Sequence, residues 1–360
     1  MNICIVIGTR PEIIKMAPLI RACEKRNLDY FILHTGQHYS YEMDKKFFED
    51  LELKKPKYNL NVGGKEYRKQ VGLMITKIKK ILSKEKPDIV FVQGDTNSVL
   101  AGALAANKLQ IPIGHHEAGL RSHDLTMLEE TNRIITDHIS DFLFAPTADA
   151  INNIKEEGLV KNIFLTGNTV VDAVNENLIL AEKKVNILKK LNLEKNNYIT
   201  VTAHRAENVD NEKRLRGIID GLILVSQFTK LQIIYPIHPR TLKNLKKFNI
   251  EQPNEIKFIN PLGYLEFLQL EASSKLIITD SGGLQEEACI LKVPCVTIRD
   301  NTERPETIKA KINILAGTSP NKILNSTKEM LNYNGEWINP FGDGKAGEHI
   351  IDIWLENKDK

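Results

Sequence analysis

The stretch KLIITDSGGLQEEACILK, from Lys275 to Lys292, contains a complete strand–turn–helix unit. Its start, KLIIT, is typical of a buried strand, and LQEEACILK has the spacing of a helix. Between them lies a turn of small residues, Ser281-Gly282-Gly283. Such a turn is suited to bind an anion, because the free N–H groups and the dipole of the following helix point at it. The stretch therefore predicts an α/β unit with an anion site at the helix start.

The same alternation of strand-like and helical patterns runs along most of the 360 residues. Predicted strands are NICIVIG, YFILHT, DIVFVQG, PIGHHEA, FLFAPT, NIFLTG, YITVTAH, LQIIYPI, IKFIN, KLIITD and PCVTIRD. Helical segments such as EIIKMAPLIRACEK and NSVLAGALAANKL lie between them. This rhythm predicts βαβ units, and the strands are apolar enough to need helices on both faces of parallel sheets.

The length of the chain predicts more than one core. A polar, Lys- and Asn-rich stretch, NENLILAEKKVNILKKLNLEKNN, marks the boundary. We predict a first Rossmann-like domain over 1–170, a linker helix over 171–196 and a second Rossmann-like domain over 197–345. The last helix, 346–360, is expected to pack back on the first domain. The two doubly wound domains are expected to face each other across a cleft.

The net charge, the lengths of the apolar runs and the cysteine content exclude several classes of protein. A net charge of +3 gives no reason to expect nucleic acid or a membrane surface as partner. The apolar run in MNICIVIGTRPE is too short for a signal peptide, and no later run is long enough to span a bilayer, so a cytoplasmic protein is expected. Four cysteines without a CxxC pair predict buried, reduced thiols, with neither zinc nor disulfides. They are Cys4, Cys23, Cys289 and Cys295.

Ligands of open α/β sheets bind beyond the carboxyl ends of the strands, so the residues that follow each strand are the candidates. GTRPEIIK, after the first strand, is not GxGxxG, which argues against a dinucleotide there. Taken alone, Arg10 and Lys15 are explained as a solvated arginine and an ordinary helix lysine. The place of Arg10 in a strand-to-helix turn of a nucleotide-binding fold favours phosphate contact. Asp95, in QGDTNS, is a candidate carboxylate or a helix cap.

Three carboxylates follow the middle strands of the first half. Asp95 and Glu117 lie at strand exits, and Glu129 opens the helix LEETNRIITDHI with Arg133 four residues later on the same face. We expect the three carboxylates to converge on one spot. Mutual repulsion there would raise the pKa of at least one and supply an acid or a base.

The second half offers a histidine and a diphosphate site. His204, in TAHRAENVD, is suited to phosphate binding or proton transfer, or to a structural role. Glu286 and Glu287 are expected in the first helical turn after Gly283, where they would repel a bare phosphate. A nucleoside diphosphate satisfies both features. The glycine turn receives its phosphates and Glu287 accepts from the ribose hydroxyls. Close packing without a ligand is the alternative explanation for a Gly-Gly turn of this kind.

Together these motifs resemble a known family. GTRPEIIKMAPLI, TGQHY, QGDTNSVLAGALAA, HHEAGLRS, EETNRIITDH, GNTVVDA, TAHRAEN, DSGGLQEEA and RDNTERPE are similar, in order, to motifs of the non-hydrolysing UDP-N-acetylglucosamine 2-epimerases. The resemblance implies two Rossmann-like domains arranged as in type-B glycosyltransferases. It also implies interconversion of UDP-N-acetylglucosamine and UDP-N-acetylmannosamine without a metal or nicotinamide, in a homodimer.

The resemblance assigns roles to individual residues. It implies catalytic roles for Asp95, Glu117, Glu129, Arg133 and His204. It implies UDP contacts by Arg10, Lys15, Phe267, Ser281, Gly282, Gly283, Glu287 and Arg304, where packing in the helix core is an equal explanation for Phe267. Gln37 and His38 match a site for a second UDP-N-acetylglucosamine as activator, but Ala206 replaces an arginine common in such members. Leu128 replaces a proline that starts the family's helix, so the backbone of Glu129 is less fixed.

Three other functions fit parts of the pattern. A type-B glycosyltransferase would need an acceptor site and no set of three carboxylates around the sugar. A hydrolysing epimerase would release free N-acetylmannosamine, and its members usually lack the EE and NR pattern that follows HEAG here. A non-catalytic nucleotide-sugar sensor would tolerate loss of Glu117 and Glu129.

Overall fold

The computed structural model describes residues 1–37, 41–64, 67–333, 335 and 337–358. The chain divides into two units, which are described separately. The first unit contains residues 1–175 and 341–360, and the second contains 176–340. The first boundary between the units, after residue 175, falls within the range 171–196 that was predicted as a linker. The second falls five residues before the predicted start of the last helix, at 346.

The first unit has a sheet of seven strands. The strands are β1 (Asn2–Ile7), β2 (Asp29–His34), β3 (Tyr58–Asn59), β4 (Ile89–Gln93), β5 (Ile113–His116), β6 (Phe142–Ala145) and β7 (Ile163–Leu165). Its helices are α1 (Arg10–Lys25), α2 (Tyr41–Asp50), α3 (Tyr67–Glu85), α4 (Asn97–Asn107), α5 (Leu128–Ile139), α6 (Ala148–Glu156) and, at the end of the chain, α16 (Ala346–Asn357). Helix α7 (Thr169–Lys184) runs across the first division.

The second unit has a sheet of six strands. The strands are β8 (Tyr198–Thr202), β9 (Gln232–Pro236), β10 (Ile256–Ile259), β11 (Leu276–Thr279), β12 (Cys295–Thr297) and β13 (Asn313–Leu315). Its helices are α8 (Ile187–Leu191), α9 (Ala206–Val209), α10 (Glu212–Thr229), α11 (Pro239–Lys247), α12 (Tyr264–Ala272), α13 (Gly282–Leu291), α14 (Pro305–Lys309) and α15 (Pro320–Asn332).

Both sheets are parallel and have the same doubly wound order. The first runs β3-β2-β1-β4-β5-β6-β7 and the second β10-β9-β8-β11-β12-β13. In each sheet the chain first moves to one side and then returns to build the other. The order therefore reverses between β1 and β4 in the first sheet and between β8 and β11 in the second. Such switch points are where ligands bind in this class of fold.

The central strands are buried because helices cover both faces of each sheet. Ile3 to Ile7 of β1 and Leu276 to Ile278 of β11 are almost wholly inaccessible to water. The prediction of parallel sheets from near-continuous apolar runs is confirmed. The sequence patterns did not predict β3 and β13, which are two and three residues long.

The four cysteines are free and buried, as predicted. Burial raises the pKa of each thiol, to about 12 for Cys295, so the thiols stay protonated at neutral pH. Among the helices of the described residues, none combines the length and the apolar character needed to cross a membrane.

The last helix belongs to the first unit and packs against α1. Trp354 of α16 is buried, with its ring edge-to-face against Phe91 of β4 at 6.0 Å between centroids. At the helix start Gly347 lies so close to α1 that an added Cβ would come within 2.8 Å of the backbone carbonyl of Pro18. Only a glycine allows this approach without a shift of one helix.

Replacing Gly347 with alanine is expected to lower the free energy of unfolding by about 1–3 kcal/mol, because the new methyl group meets backbone that cannot rotate away. The matched control is Gly72→Ala, in the exposed interior of α3, where an added Cβ meets nothing within 4 Å. That change is expected to stabilise by about 0.5–1 kcal/mol. Urea-unfolding midpoints measure both, and equal midpoints would contradict the close packing of α16 on α1.

Candidate active site

Glu117 is a buried carboxylate held by three side chains beside the switch point of the first sheet. It follows β5 with a φ of +64°, a left-handed conformation that is uncommon for a residue with a side chain. The Lys15 ammonium contacts its Oε1 at 2.6 Å, and the Asn168 amide donates to the same oxygen at 3.0 Å. The Gln93 amide donates to Oε2. Groups from α1, β4 and the segment before α7 therefore fix one buried carboxylate.

Asp95 lies two residues beyond β4 and forms an ion pair with Arg133 of α5. The other arm of Arg133 contacts Glu130 at 2.9 Å. The Glu130 carboxylate is buried and also accepts hydrogen bonds from the backbone amides of Ser122 and His123. This network ties α5 to the loop that precedes it.

The predicted position of Glu129 in this network is wrong. Arg133 pairs with Glu130, three residues before it, and not with Glu129. Glu129 is exposed, and the described part of the chain gives it no ion pair. The structure thus pairs Asp95 with Arg133 and fixes Glu117 after β5. Among the described residues, no hydrogen bond or ion pair joins Glu129 to Asp95 or Glu117. The physical reason is that the backbone amides before α5 need an acceptor, and only the Glu130 side chain reaches back to them.

The start of α1 is already filled by a side chain. Glu12 Oε2 accepts from the backbone amides of Gly8 and Thr9, the latter at 3.0 Å, and Thr96 donates to Oε1. Burial raises the pKa of Glu12 to about 7, against the lowering effect of these hydrogen bonds. The carboxyl group therefore serves the two amides that precede α1 and places an acidic side chain in the first turn of this helix.

The two cations predicted to hold UDP in the first unit have carboxylate partners there. Arg10 contacts Asp44 at 3.0 Å and covers the ring of Phe47, and Lys15 contacts Glu117. Gln37, predicted as part of an activator site, accepts from the amide and hydroxyl of Ser98 through its side chain. His38 lies outside the described residues.

The histidines of HHEAGLR have structural partners. His115 Nδ1 lies 2.6 Å from Asp137, which also receives Arg121 at 2.7 Å. Burial raises the pKa of Asp137, but these two partners outweigh it and hold that pKa below its usual range. His116 contacts the Thr169 hydroxyl at 2.8 Å, and burial lowers its pKa to about 4, so the ring is neutral. These contacts hold the loop that carries Glu117.

His204 is held at the switch point of the second sheet by a buried aspartate. Its backbone amide and ring Nδ1 both contact Asp280, at 3.0 and 3.2 Å. Burial opposes a charge on Asp280, but donors from His204, Arg205 and Asn208 hold its pKa below the usual range. An Nδ1–H donated to Asp280 leaves Nε2 as the acceptor of the neutral ring. The ring is 42% exposed, which suits a group that meets a ligand.

The glycine turn Ser281-Gly282-Gly283 begins α13 without a side-chain cap among the described residues. The predicted position of the two glutamates is wrong, because the helix starts at Gly282 and they lie in its second turn. Glu286 is buried and contacts Arg304 at 2.7 Å. The first turn of α13 itself therefore carries no negative side chain.

Arg205 and Glu303 lie beside the start of α13. An added Cβ at Gly282 would meet Glu303 Oε2 at 3.6 Å and Arg205 Nη2 at 3.9 Å. Burial alone would raise the pKa of Glu303, but the two-pronged contact with Arg299 lowers it to about 2. A cation, an ionised carboxylate and the first amides of α13 thus lie close together.

Two other predicted residues lie deeper in the second unit. Phe267 of α12 packs against a buried cluster that includes Tyr198 and Leu270, as expected of a residue in the helix core. Burial raises the pKa of Glu271 of α12 well above its ordinary value, and the charge of Glu287 of α13 raises it further.

Sequence reasoning missed the residues that hold these groups in place. They are Glu12, Gln93, Glu130, Asn168, Arg205, Asp280 and Glu303. Gln93 and Asn168 do stand within quoted motifs, QGDTNS and GNTVVDA. Their polarity at the end of apolar runs was the available signal. Within the described ranges, no group of three or more histidine, cysteine or acidic residues is arranged to hold a metal ion.

Comparison with known proteins gives a consistent result. The sequence profile of the UDP-N-acetylglucosamine 2-epimerase family matches residues 21–355. The UDP-N-acetylglucosamine 2-epimerase of Methanocaldococcus jannaschii is 55% identical, over 99% of this chain and 100% of its own. That of Methanococcus maripaludis is 56% identical, over 99% of both chains.

Solved structures agree with these relatives. The crystal structure of the M. jannaschii enzyme in complex with UDP-GlcNAc and UDP superposes with a TM-score of 0.88 at 54% identity, over 99% of this chain and 100% of that one. A spinosyn rhamnosyltransferase superposes with a TM-score of 0.56 at 11% identity, which shows a shared fold alone. The chain belongs to the UDP-N-acetylglucosamine 2-epimerase family.

Proposed function

We propose that the chain interconverts UDP-N-acetylglucosamine and UDP-N-acetylmannosamine by inverting C2 of the sugar. The hydrogen on C2 is not next to a carbonyl, so simple removal of the proton would be prohibitively slow. Breaking the C1–O bond to UDP as C2 loses its proton forms a C1=C2 double bond and gives a glycal. Return of a proton to the opposite face, with UDP adding back to C1, completes the inversion.

The observation that carries this proposal is the Glu117 carboxylate with the Lys15 ammonium 2.6 Å away. A buried carboxylate fixed by Lys15, Gln93 and Asn168 is suited to accept or donate a proton at one defined point. We assign to Asp95, held by Arg133, the proton transfer on the other face of the sugar. Glu129 keeps a proposed role in catalysis, although it is exposed in the structure.

The second unit is proposed to hold UDP. The α13 start lacks an acidic residue in its first turn, whereas the first turn of α1 contains Glu12, so α13 is the better phosphate site. Arg205 lies beside it, and His204, fixed by Asp280, is proposed to stabilise the leaving diphosphate. Glu287 is proposed to accept from the ribose hydroxyls. Contacts of Arg10, Lys15, Phe267 and Arg304 with UDP stay proposals.

The family resemblance also supports a homodimer, which we include in the proposal together with a cytoplasmic location. Transfer to an acceptor, release of free N-acetylmannosamine and binding without turnover are the competing functions. Each gives a different product from the same starting nucleotide sugar, so one experiment separates them.

Incubation of the purified protein with UDP-N-acetylglucosamine in D₂O is expected to yield a mixture containing UDP-N-acetylmannosamine with deuterium at C2. The deuterium follows from the removal and return of the proton at that carbon. Proton NMR follows both changes, with heat-inactivated protein as the control. Free N-acetylmannosamine as the main product would indicate a hydrolase. Transfer of the sugar to an added acceptor would indicate a transferase, and an unchanged substrate a sensor.

Glu117→Gln and Asp95→Asn are expected to lower turnover by roughly 10² or more while UDP affinity holds, because each amide keeps the size but cannot carry the proton. We expect the same direction for Glu129→Gln. The matched control is Glu329→Gln, at an exposed position on α15, which is expected to leave turnover unchanged. Epimerisation rates and UDP calorimetry under one set of conditions measure these effects. Wild-type turnover in all three would leave the mechanism without its acids and bases.

Glu287→Ala is expected to weaken UDP binding by roughly 1.5–3 kcal/mol, because the ribose hydroxyls lose a charged acceptor. Isothermal calorimetry with UDP measures this, and circular dichroism checks that the fold is kept. Tighter UDP binding by the variant would place the carboxylate near the phosphates, and unchanged affinity would remove the ribose assignment.

A further inference from the structure

The short segment that carries Asp95 is held from two neighbouring elements of the first unit. His115 of β5 places its ring Nε2 2.8 Å from the carbonyl oxygen of Gly94, a residue with a φ of +82°. Asn132 of α5 donates to the carbonyl of Asp95 at 2.9 Å. A Cβ added at Gly94 would meet Glu117 Oε2 at 3.5 Å, so the segment passes beside the other candidate carboxylate. The backbone before and at Asp95 is therefore fixed next to Glu117.

Glu12 completes this support from the other side of the switch point. It is 2% exposed, and its Oε2 accepts from the backbone amides of Gly8 and Thr9. The other oxygen, Oε1, accepts from the hydroxyl of Thr96, the residue that follows Asp95. One side chain of α1 thus joins the turn after β1 to the turn after β4, the two strands between which the sheet order reverses.

The Thr96 hydroxyl has two functions that substitutions can separate. Its oxygen caps α4 by accepting from the backbone amides of Ser98 and Val99, at 3.2 and 3.5 Å. Its hydrogen is donated to Glu12. Because the cap uses the oxygen and the contact with Glu12 uses the hydrogen, the cap does not require that contact. The bond to Glu12 is therefore an additional tie between this segment and α1.

A carboxylate suits this tie better than an amide, although either serves a helix start. At the third position of α1, glutamate and glutamine both offer an oxygen to the amides before the helix. Only a carboxylate presents a second oxygen to the Thr96 hydroxyl, since the NH₂ group of glutamine cannot accept. The capping of α1 alone therefore does not explain why an acidic residue is buried here.

We propose that Glu12 is a positioning residue for proton transfer by Asp95, acting through the hydroxyl of Thr96. The inference rests on the role of Asp95 in the proposed function. The Asp95 side chain is 31% exposed and pairs with Arg133, so the place of its carboxylate also depends on where the backbone holds it. A shift of about 1 Å in such a group can lower a rate by roughly 10². Fixing the residue that follows Asp95 keeps its carboxylate where the proposed reaction needs it.

Glu12→Gln separates this role from the capping of α1. The variant keeps an acceptor for the amides of Gly8 and Thr9 but loses the acceptor for Thr96. Its kcat is expected to fall roughly tenfold, while its affinity for UDP stays within about twofold of the wild type. Assays at about pH 8 keep most of the wild-type Glu12 ionised, because its pKa is about 7. Epimerisation rates and calorimetry with UDP measure both quantities. An unchanged kcat, or a loss confined to UDP affinity, would overturn the proposal.

Thr96 provides a second test, with a conservative variant as the rescue. Thr96→Val removes the hydroxyl and is expected to lower kcat by a similar factor of roughly ten, whereas Thr96→Ser keeps the hydroxyl and is expected to retain kcat. The matched control for the lost cap is Thr147→Val, because Thr147 caps α6 by accepting from the amide of Ala150 at 3.2 Å. That control is expected to lower the urea midpoint and to leave kcat unchanged. Equal falls of kcat in Thr96→Val and Thr147→Val would overturn the proposal.

A double-mutant cycle tests whether Glu12 and Thr96 act together. Combining Glu12→Gln with Thr96→Val is expected to lower kcat little further than either change alone, because both remove the same contact. Losses that multiply would show independent effects and would overturn the proposal.

Asp95→Asn, measured in the same series, separates this inference from the proposed function. Wild-type turnover in Asp95→Asn would remove the role of Asp95 and the inference with it. A loss in Asp95→Asn without a loss in Glu12→Gln would overturn the inference alone. Formation of UDP-N-acetylmannosamine by the wild type would stand as a separate result in both cases.

Discussion

The structure depends on how each helix start satisfies its first backbone N–H groups, which have no partner within the helix. Four helices begin at the two switch points. The Glu12 carboxyl serves the turn before α1, Thr96 caps α4, and Asp280 accepts from the backbone before α9. Helix α13 has no side-chain cap in the part of the chain that the structure describes. Thr96 therefore serves first-turn amides of its helix, those of Ser98 and Val99, whereas Glu12 and Asp280 serve amides that precede α1 and α9.

In both units, candidate side chains of the site are fixed by partners from other parts of the unit. Two of the candidate acids or bases are fixed by a partner that approaches from another element, as Lys15 does for Glu117 and Arg133 does for Asp95. In the second unit a buried aspartate fixes His204. A side chain held from two sides needs little reorganisation when a charge develops nearby, which is the condition for electrostatic stabilisation.

Much of the fold was predictable from the sequence, because strand and helix periods and the residues after each strand are local signals. The strand β3 has two residues, too few to produce a period, and pairing with β2 makes it a strand. Which group a side chain contacts is also not determined by the local sequence. Glu129 and Glu130 are adjacent and chemically identical, yet only Glu130 meets the amides before α5. Likewise, nothing in the spacing of Arg10 indicates the group that it contacts.

The return of α16 to the first unit has a consequence for synthesis on the ribosome. Trp354 fills a place beside Phe91, and Arg26 of the first unit contacts Asp352 at 2.7 Å. The amino-terminal unit thus contains residues from both ends of the sequence, while the second unit is a continuous segment. Domains commonly fold as they emerge, the first before the second. Here the order of completion is reversed, since the unit made first must wait, with one face of α1 uncovered, until the final helix has left the tunnel.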